Sequence, residues 1–410
     1  MNNNIANLII FHNITDDQLM RVYQAAIDDQ NNWQEFCQML LARAVNKQIS
    51  GNVFDTWLLD AIICDDNIFS RAAAAVPFAE LPDPLLAIVA DELNTLSAKT
   101  EIMPQAPNQS WQNLLTQLPT TCSSVNNNSY YNNFRSGFAD IFRKGDGAGA
   151  VRTLADFYYC CGFGNICRHN FFIWQDGLRV VDNSDTVSFE QLFVYDRQKQ
   201  LIKEHTKTFV NGGIINNLLL YGEKGTGKSS LIKAAVNSFA AQGLKLVAVD
   251  CRYWSSLGEI MRVLAGYRQR FIIFLDDFSF DADDNVYREI KTLIEGGVTA
   301  TPVNTVIYAT SNRRHLISES WADRLQRSED MYIGDTVAEK LSLAERFGIT
   351  ITFPPPTQEE YLEIVDGLSA AAGLQIEPDV LRAEAIKWER RYNSRSGRTA
   401  KQFITDMLNR

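Results

Sequence analysis

Gly222-Glu223-Lys224-Gly225-Thr226-Gly227-Lys228-Ser229 decides how this chain is read. Its spacing, Gly-x-x-x-x-Gly-Lys-Ser, is that of a phosphate-binding loop. Glycines let the backbone curl so that successive N–H groups turn inward toward phosphate oxygens. Lys228 supplies a cation for the β- and γ-phosphates, and the Ser229 hydroxyl suits a magnesium ion. The flanks have the required pattern. Leu218-Leu219-Leu220-Tyr221 reads as a buried strand, and Leu231-Ile232-Lys233-Ala234-Ala235-Val236 as an amphipathic helix whose N-terminus adds positive dipole. The candidate nucleotide-binding residues are therefore Gly222, Glu223, Lys224, Gly225, Thr226, Gly227, Lys228, Ser229 and Ser230.

Working outward, 410 residues hold two or three domains. With 46% hydrophobic and 21% charged residues, the composition is that of an ordinary globular protein. Lysine and arginine number 39 against 49 acidic residues, a net charge of −10. That balance argues against broad binding to a nucleic-acid backbone and leaves only a local basic stripe open. No apolar run approaches the roughly 20 residues of a spanning helix, so no membrane role is expected. The start, Met1-Asn2-Asn3-Asn4-Ile5, lacks the basic region and apolar core of a signal peptide, and a cytoplasmic location is expected. The cysteines cluster only at Cys160-Cys161 and Cys167, near His169. Without paired Cys-x-x-Cys knuckles these read as buried thiols rather than a zinc site.

Residues 1–170 read as mostly helical. Thr15 with Gln18 forms a capping box, and helical patterns run over Trp33–Val45, Val53–Ala75, Pro84–Ala98 and 134–159, the last interrupted by Gly145-Asp146-Gly147. Asn126-Asn127-Asn128-Ser129 reads as a loop. Asp176-Gly177 between Phe171–Trp174 and Leu178–Val181 predicts a β-hairpin, within a linker covering 171–212. From 213 to 356, strands expected at Leu218–Tyr221, Leu244–Asp250, Phe271–Asp276, Thr305–Thr310 and Ile349–Phe353 alternate with helices. This is an α/β pattern with a five-stranded parallel sheet. After Pro354-Pro355-Pro356, Thr357 and Glu360 cap the first helix of a small helical piece over 357–410.

Two further elements carry chemistry. Phe271–Leu275 ends in adjacent carboxylates, placing Asp276 in a magnesium shell and Asp277 where it polarises an attacking water. The next strand, Val306-Ile307-Tyr308-Ala309-Thr310-Ser311-Asn312, ends in an amide suited to positioning that water.

With these residues in place, the chain resembles the AAA+ ATPases. Gly222–Ser229 is similar to Walker A and Phe271–Asp277 to Walker B. Asn312 falls at sensor 1, Glu345-Arg346-Phe347-Gly348 at the arginine-finger box, and Ser396-Gly397-Arg398-Thr399-Ala400 at sensor 2 in the lid. More narrowly, residues from about 187 onward resemble a bacterial AAA+ family catalogued as domain-of-unknown-function family 815. Gly225–Leu231, Asp276–Phe280, Ala309–Leu316 and Ser342–Gly348 carry that likeness. The resemblance implies ATP and Mg²⁺ as cofactors, and a homo-oligomeric ring or arc in which Arg346 completes a neighbour's site. It further implies Arg398 acting from the lid, and an adenine pocket using Val194 and Tyr195. The expected activity is ATP hydrolysis coupled to remodelling a protein partner held by the N-terminal region. Alternatives are an ATP-switched adaptor that hydrolyses very slowly and a DNA-linked loader.

Two departures bear on that expectation. Most AAA+ motors carry glutamate where this chain has Asp277, and the narrower family resembles this chain in using two aspartates. A side chain one methylene shorter retracts the carboxylate by roughly 1.5 Å. Cys251-Arg252-Tyr253-Trp254 puts two aromatics where a pore loop often lies, and both a gripping and a sheet-covering role fit them. Arg313, Arg314 and His315 read either as a basic patch or as partners of Glu319 and Asp323.

Overall fold

The computed structural model describes residues 8–47, 52–100, 104, 106, 108–118, 129–181, 187–278, 290, 294, 302–312 and 346–409. Among the described residues, ten α-helices precede the first strand: α1 His12–Asp16, α2 Gln18–Asp28, α3 Trp33–Lys47, α4 Val53–Ile63, α5 Ile68–Ala75, α6 Asp83–Thr100, α7 Gln109–Thr116, α8 Ser129–Arg143, α9 Gly147–Cys161 and α10 Asn165–Arg168. They bury an aromatic core in which Tyr23 stacks on Phe54 at 4.6 Å and Phe134 on Phe157 at 3.7 Å.

Helix starts follow local hydrogen bonding. Thr15 does not cap α2. Its hydroxyl donates to the His12 carbonyl inside α1, and Asp17 caps α2 by accepting from Leu19 N. Asp17 wins because a carboxylate accepts more strongly than a hydroxyl, and because Arg43 holds both its oxygens at 2.8 Å. The expected helix over Val53–Ala75 is two helices, since Asn67 and Ser70 make a reciprocal capping box that restarts the chain at α5. Asp146 caps α9 through Gly149 N and separates it from α8, at the interruption expected there.

The strands are β1 Phe171–Trp174, β2 Leu178–Val180, β3 Leu218–Gly222, β4 Leu244–Ala248, β5 Arg270–Leu275, β6 Thr305–Ser311 and β7 Ile349–Phe353. They form one seven-stranded sheet in the order β2-β1-β4-β5-β6-β3-β7. Five expected strands make the parallel core, and the hairpin enlarges it: β1 pairs parallel with β4, leaving β2 as the antiparallel edge. Asp176 and Gly177 turn the hairpin with φ of 51° and 141°.

Alternation along each strand loads both faces. Phe271, Ile273 and Leu275 of β5 face Leu257, Ile260 and Leu264 of α13 (Leu257–Leu264). Ile272 and Phe274 belong to the opposite layer with α11 (Asp196–Val210) and α12 (Lys228–Phe239). Trp254 lies in the first layer, 5% exposed, packed on Phe278 at 5.0 Å with its indole N–H on the Val249 carbonyl. It therefore belongs to the core, and the aromatic pair is not two gripping side chains.

Beyond β7, α14 (Gln358–Ala371), α15 (Pro378–Tyr392) and α16 (Gly397–Leu408) pack around Tyr361, Val365, Leu381 and Phe403. Thr357 and Glu360 make the capping box of α14. No described helix is long and apolar enough to cross a membrane.

Candidate functional site

Strand order brings the chemistry together. β5 and β3 both flank β6, in a register that pairs Leu275 with Ala309 and Tyr221 with Ser311. The residues that follow these strands therefore converge at one end of the sheet, the crevice where open parallel sheets bind ligands.

The loop after β3 is shaped by its glycines. Gly222, Gly225 and Gly227 have φ of 148°, 81° and 88°. A Cβ on Gly222 would lie 2.0 Å from the Phe353 carbonyl oxygen, so only glycine lets the loop leave the sheet against β7. Gly227 precedes α12, and the loop wraps its N-terminus.

Lys228 is 6% exposed, and its ammonium donates to the Gly222 and Glu223 carbonyls at 2.8 Å and to Asn312 Oδ1 at 3.2 Å. Burial lowers its pKa, and the nearby charges of Asp276, Asp277 and Glu223 oppose that shift. Asp276 Oδ1 accepts from the Ser229 hydroxyl at 2.7 Å and the Thr310 hydroxyl at 2.5 Å. A serine oxygen beside a carboxylate is the hard-donor pairing that suits magnesium. Asp277 sits at φ 51°, a left-handed conformation that aspartate tolerates. Its N–H donates to Thr310 Oγ1 at 3.1 Å, and its Oδ1 accepts from Asn312 Nδ2 at 2.6 Å.

A cavity of about 830 Å³ opens over this cluster. Its polar lining comes from Lys224 through Ser230, Asp276, Asp277, Thr310 and Asn312. Its apolar lining includes Val194, which packs in one cluster with Ile364 and Leu368 of α14, together with Tyr195 and Ala371. Arg398 reaches the rim from the start of α16, and its N–H donates to the Gly225 carbonyl at 3.3 Å. The glycine cradle, the buried lysine and the Ser229–Asp276 pair fit a polyphosphate with its divalent cation. The apolar end has room for a base.

The cavity thus gathers every candidate residue except Gly222, Glu223 and Arg346. The first two adjoin it, their carbonyls held by Lys228. Arg346 is exposed, just ahead of β7, and is not among the lining residues. Glu345, the patch Arg313-Arg314-His315 with Glu319 and Asp323, and the loop at Asn126 lie outside the described residues. Sequence reasoning missed Thr310, which braces both aspartates, and the lining residues of α14. The position of Thr310 at a strand end, one strand away from Asp276, was the available signal.

A family model described as "Protein of unknown function (DUF815)" matches residues 167–410, more than half of the chain. The chain belongs to the DUF815 family. Its family-matched part has the fold that the AAA+ resemblance implied, a mostly parallel sheet with covering helices. The 26S proteasome regulatory subunit 6B homolog of Schizosaccharomyces pombe is 29% identical over 134 residues, 28% of this chain and 34% of that subunit. This DUF815 chain therefore spans about a third of the curated relative it matches. Among solved structures, the Thermotoga maritima RuvB Holliday junction branch migration motor is similar at 14% identity. That likeness covers 54% of this chain and 71% of that one, with a TM-score of 0.32. A point mutant of the same RuvB gives 16% identity, 54% and 65% coverage and a TM-score of 0.39.

Proposed function

We propose that this DUF815 protein binds ATP with Mg²⁺ and hydrolyses it, coupling the cycle to a protein partner held by the helical region 1–170. In this reading 171–212 is the hairpin and linker, 213–356 the nucleotide-binding core and 357–410 the lid. The observation that carries the proposal is the convergence of Lys228, Asp276, Asp277 and Asn312 around one cradle beneath Arg398.

Gly222 to Ser230 hold the triphosphate, with Lys228 neutralising its β- and γ-oxygens. Ser229 and Asp276 would hold a magnesium ion, which would supply charge neutralisation there. Water attacks the γ-phosphorus in line as the bond to the β-phosphate oxygen breaks, giving ADP and phosphate. Asp277 takes up the water's proton, with Asn312 orienting both. Val194 and Tyr195 flank the adenine, and Arg398 acts from the lid. Arg346 serves a neighbouring copy's γ-phosphate in a ring or arc, a role supported by its exposure and its absence from the lining of its own cavity. The similarity to a proteasome regulatory subunit is compatible with energy-coupled work on a protein. The net charge of −10 favours a protein over nucleic acid, and a cytoplasmic setting fits that reading.

Steady-state phosphate release with ATP and Mg²⁺ tests the proposal. Turnover abolished by Lys228→Ala supports it, and no turnover from the wild type at any protein concentration defeats hydrolysis. Native mass measurement with ATP tests the shared site. Arg346→Ala is expected to retain ATP and lose about 10³-fold in turnover. A strict monomer with full activity rules that role out.

A further inference from the structure

The segment Leu192–Tyr195, between the 3₁₀ turn Phe189–Gln191 and α11, is clamped at both ends to different bodies. Tyr195 is fixed to the core. Its ring packs on Phe353 at 5.2 Å and its hydroxyl donates to the Pro354 carbonyl at 2.6 Å. Phe193 is fixed to the lid. A Cβ on Gly367, in the middle of α14, would lie 2.3–2.5 Å from three carbons of the Phe193 ring, so that glycine is the notch that admits the ring. Between the two clamps, Val194 and Tyr195 have φ of 67° and 61°. Two consecutive left-handed non-glycine residues, one β-branched, persist only where the surroundings impose them.

The cavity runs directly beneath this strap. Val194 and Tyr195 form one wall of its apolar end, and Ile364 and Leu368, on the same helix as Gly367, form the other. At its opposite end the lid touches the phosphate loop through Arg398 N on the Gly225 carbonyl. The lid is thus attached at a phosphate end and at a base end, and only the base end passes through Phe193.

We propose that Phe193 is a positioning residue that makes lid closure depend on the nucleotide base. Seated in the Gly367 notch, it carries occupancy of the apolar end of the cavity into α14, and through the lid core to α16 and Arg398. The triphosphate alone engages the loop without ordering the lid. The proposal rests on the nucleotide-binding reading above and adds a discrimination to it: a ligand with phosphates and no base binds unproductively.

The experiment compares ATP with inorganic tripolyphosphate, each with Mg²⁺, on the full chain. It reads binding by calorimetry and lid order by hydrogen exchange over 397–408. In the wild type, ATP is expected to slow exchange there about tenfold more than tripolyphosphate, within the usual range of coupling between sites. Equal protection by the two ligands overturns the proposal without any variant. Phe193→Ala is expected to keep tripolyphosphate affinity, still bind ATP, and protect the lid no better with ATP than with tripolyphosphate. Undiminished ATP protection in that variant overturns the role of Phe193. Gly367→Ala fills the notch, so it should reproduce the loss in the wild-type background and add nothing to Phe193→Ala; additive effects refute the knob-in-notch coupling. Failure of the wild type to bind either ligand refutes nucleotide binding itself, an outcome separate from all of these.

Discussion

Asn312 donates through Nδ2 to Asp277 Oδ1 at 2.6 Å, while its own Oδ1 accepts from Lys228 Nζ at 3.2 Å. One amide just after β6 therefore joins the carboxylate that follows β5 to the lysine that follows β3. Its orientation is set at both ends, because a flipped amide would face a donor with a donor. This bridge steadies a carboxylate on a short side chain at a left-handed residue.

Removing the bridge should separate binding from chemistry. Asn312→Ala is expected to lower kcat about 100-fold, the usual scale for a single positioned donor, with ATP affinity little changed. Asp277→Asn should cost about 100-fold or more, since an amide cannot take up the proton. Steady-state kinetics beside equilibrium binding checks both. Equal losses in affinity and kcat would instead make the bridge a binding element.

Gly222 meets β7 too closely for any side chain. Gly222→Ala forces a Cβ to within 2.0 Å of the Phe353 carbonyl at a φ of 148°, so the loop or the strand must shift. A destabilisation of about 2–3 kcal/mol in denaturant unfolding is expected. A wild-type midpoint would show that the loop relaxes freely.

In the helical region, Glu92 is 6% exposed and its carboxylate accepts from three successive N–H groups, Ile9 at 2.6 Å, Ile10 at 3.1 Å and Phe11 at 3.0 Å. Glu92→Ala strands these donors and should cost about 3 kcal/mol. Glu92→Gln keeps one acceptor oxygen and should cost less. Limited proteolysis near residue 9 should track the loss; an intact, equally stable Ala variant would show that water replaces the carboxylate at no cost.

Lys245 gives a pH signature. It is 1% exposed on β4 and donates to the His169 carbonyl and Asn170 Oδ1 at 3.0 and 2.9 Å. Burial lowers its pKa below the ordinary 10.5. Between the folded and unfolded values the unfolded chain binds more protons, so stability from this group rises with pH. The wild type should therefore gain stability relative to Lys245→Met as pH climbs toward 10.5, measured by urea unfolding. A gap independent of pH would mean that the ammonium keeps its ordinary affinity for the proton.

Much of this was legible in the chain. Gly222–Ser229 and Asp276–Asp277 follow apolar strands, and local pattern alone places both, because a glycine-rich loop and a strand-end carboxylate pair are contiguous in sequence. Helix boundaries were less legible. Thr15 and Asp17 compete for one cap, and Arg43, 26 residues away, favours Asp17. The hairpin was readable from Asp176-Gly177, yet its pairing with β4 was not, since register between distant strands is a property of the packed sheet.

By itself, then, the sequence determined a glycine-rich loop after one strand, two carboxylates after another and an α/β core, because each depends on residues close together in the chain. Only the tertiary structure decided that Thr310 braces both aspartates, that Asn312 spans Asp277 and Lys228, and that Phe193 fills the notch at Gly367. Those contacts join residues separated by 33 to 84 positions in the hydrogen-bonded cases, and no local periodicity encodes which partner a side chain will meet once the sheet closes.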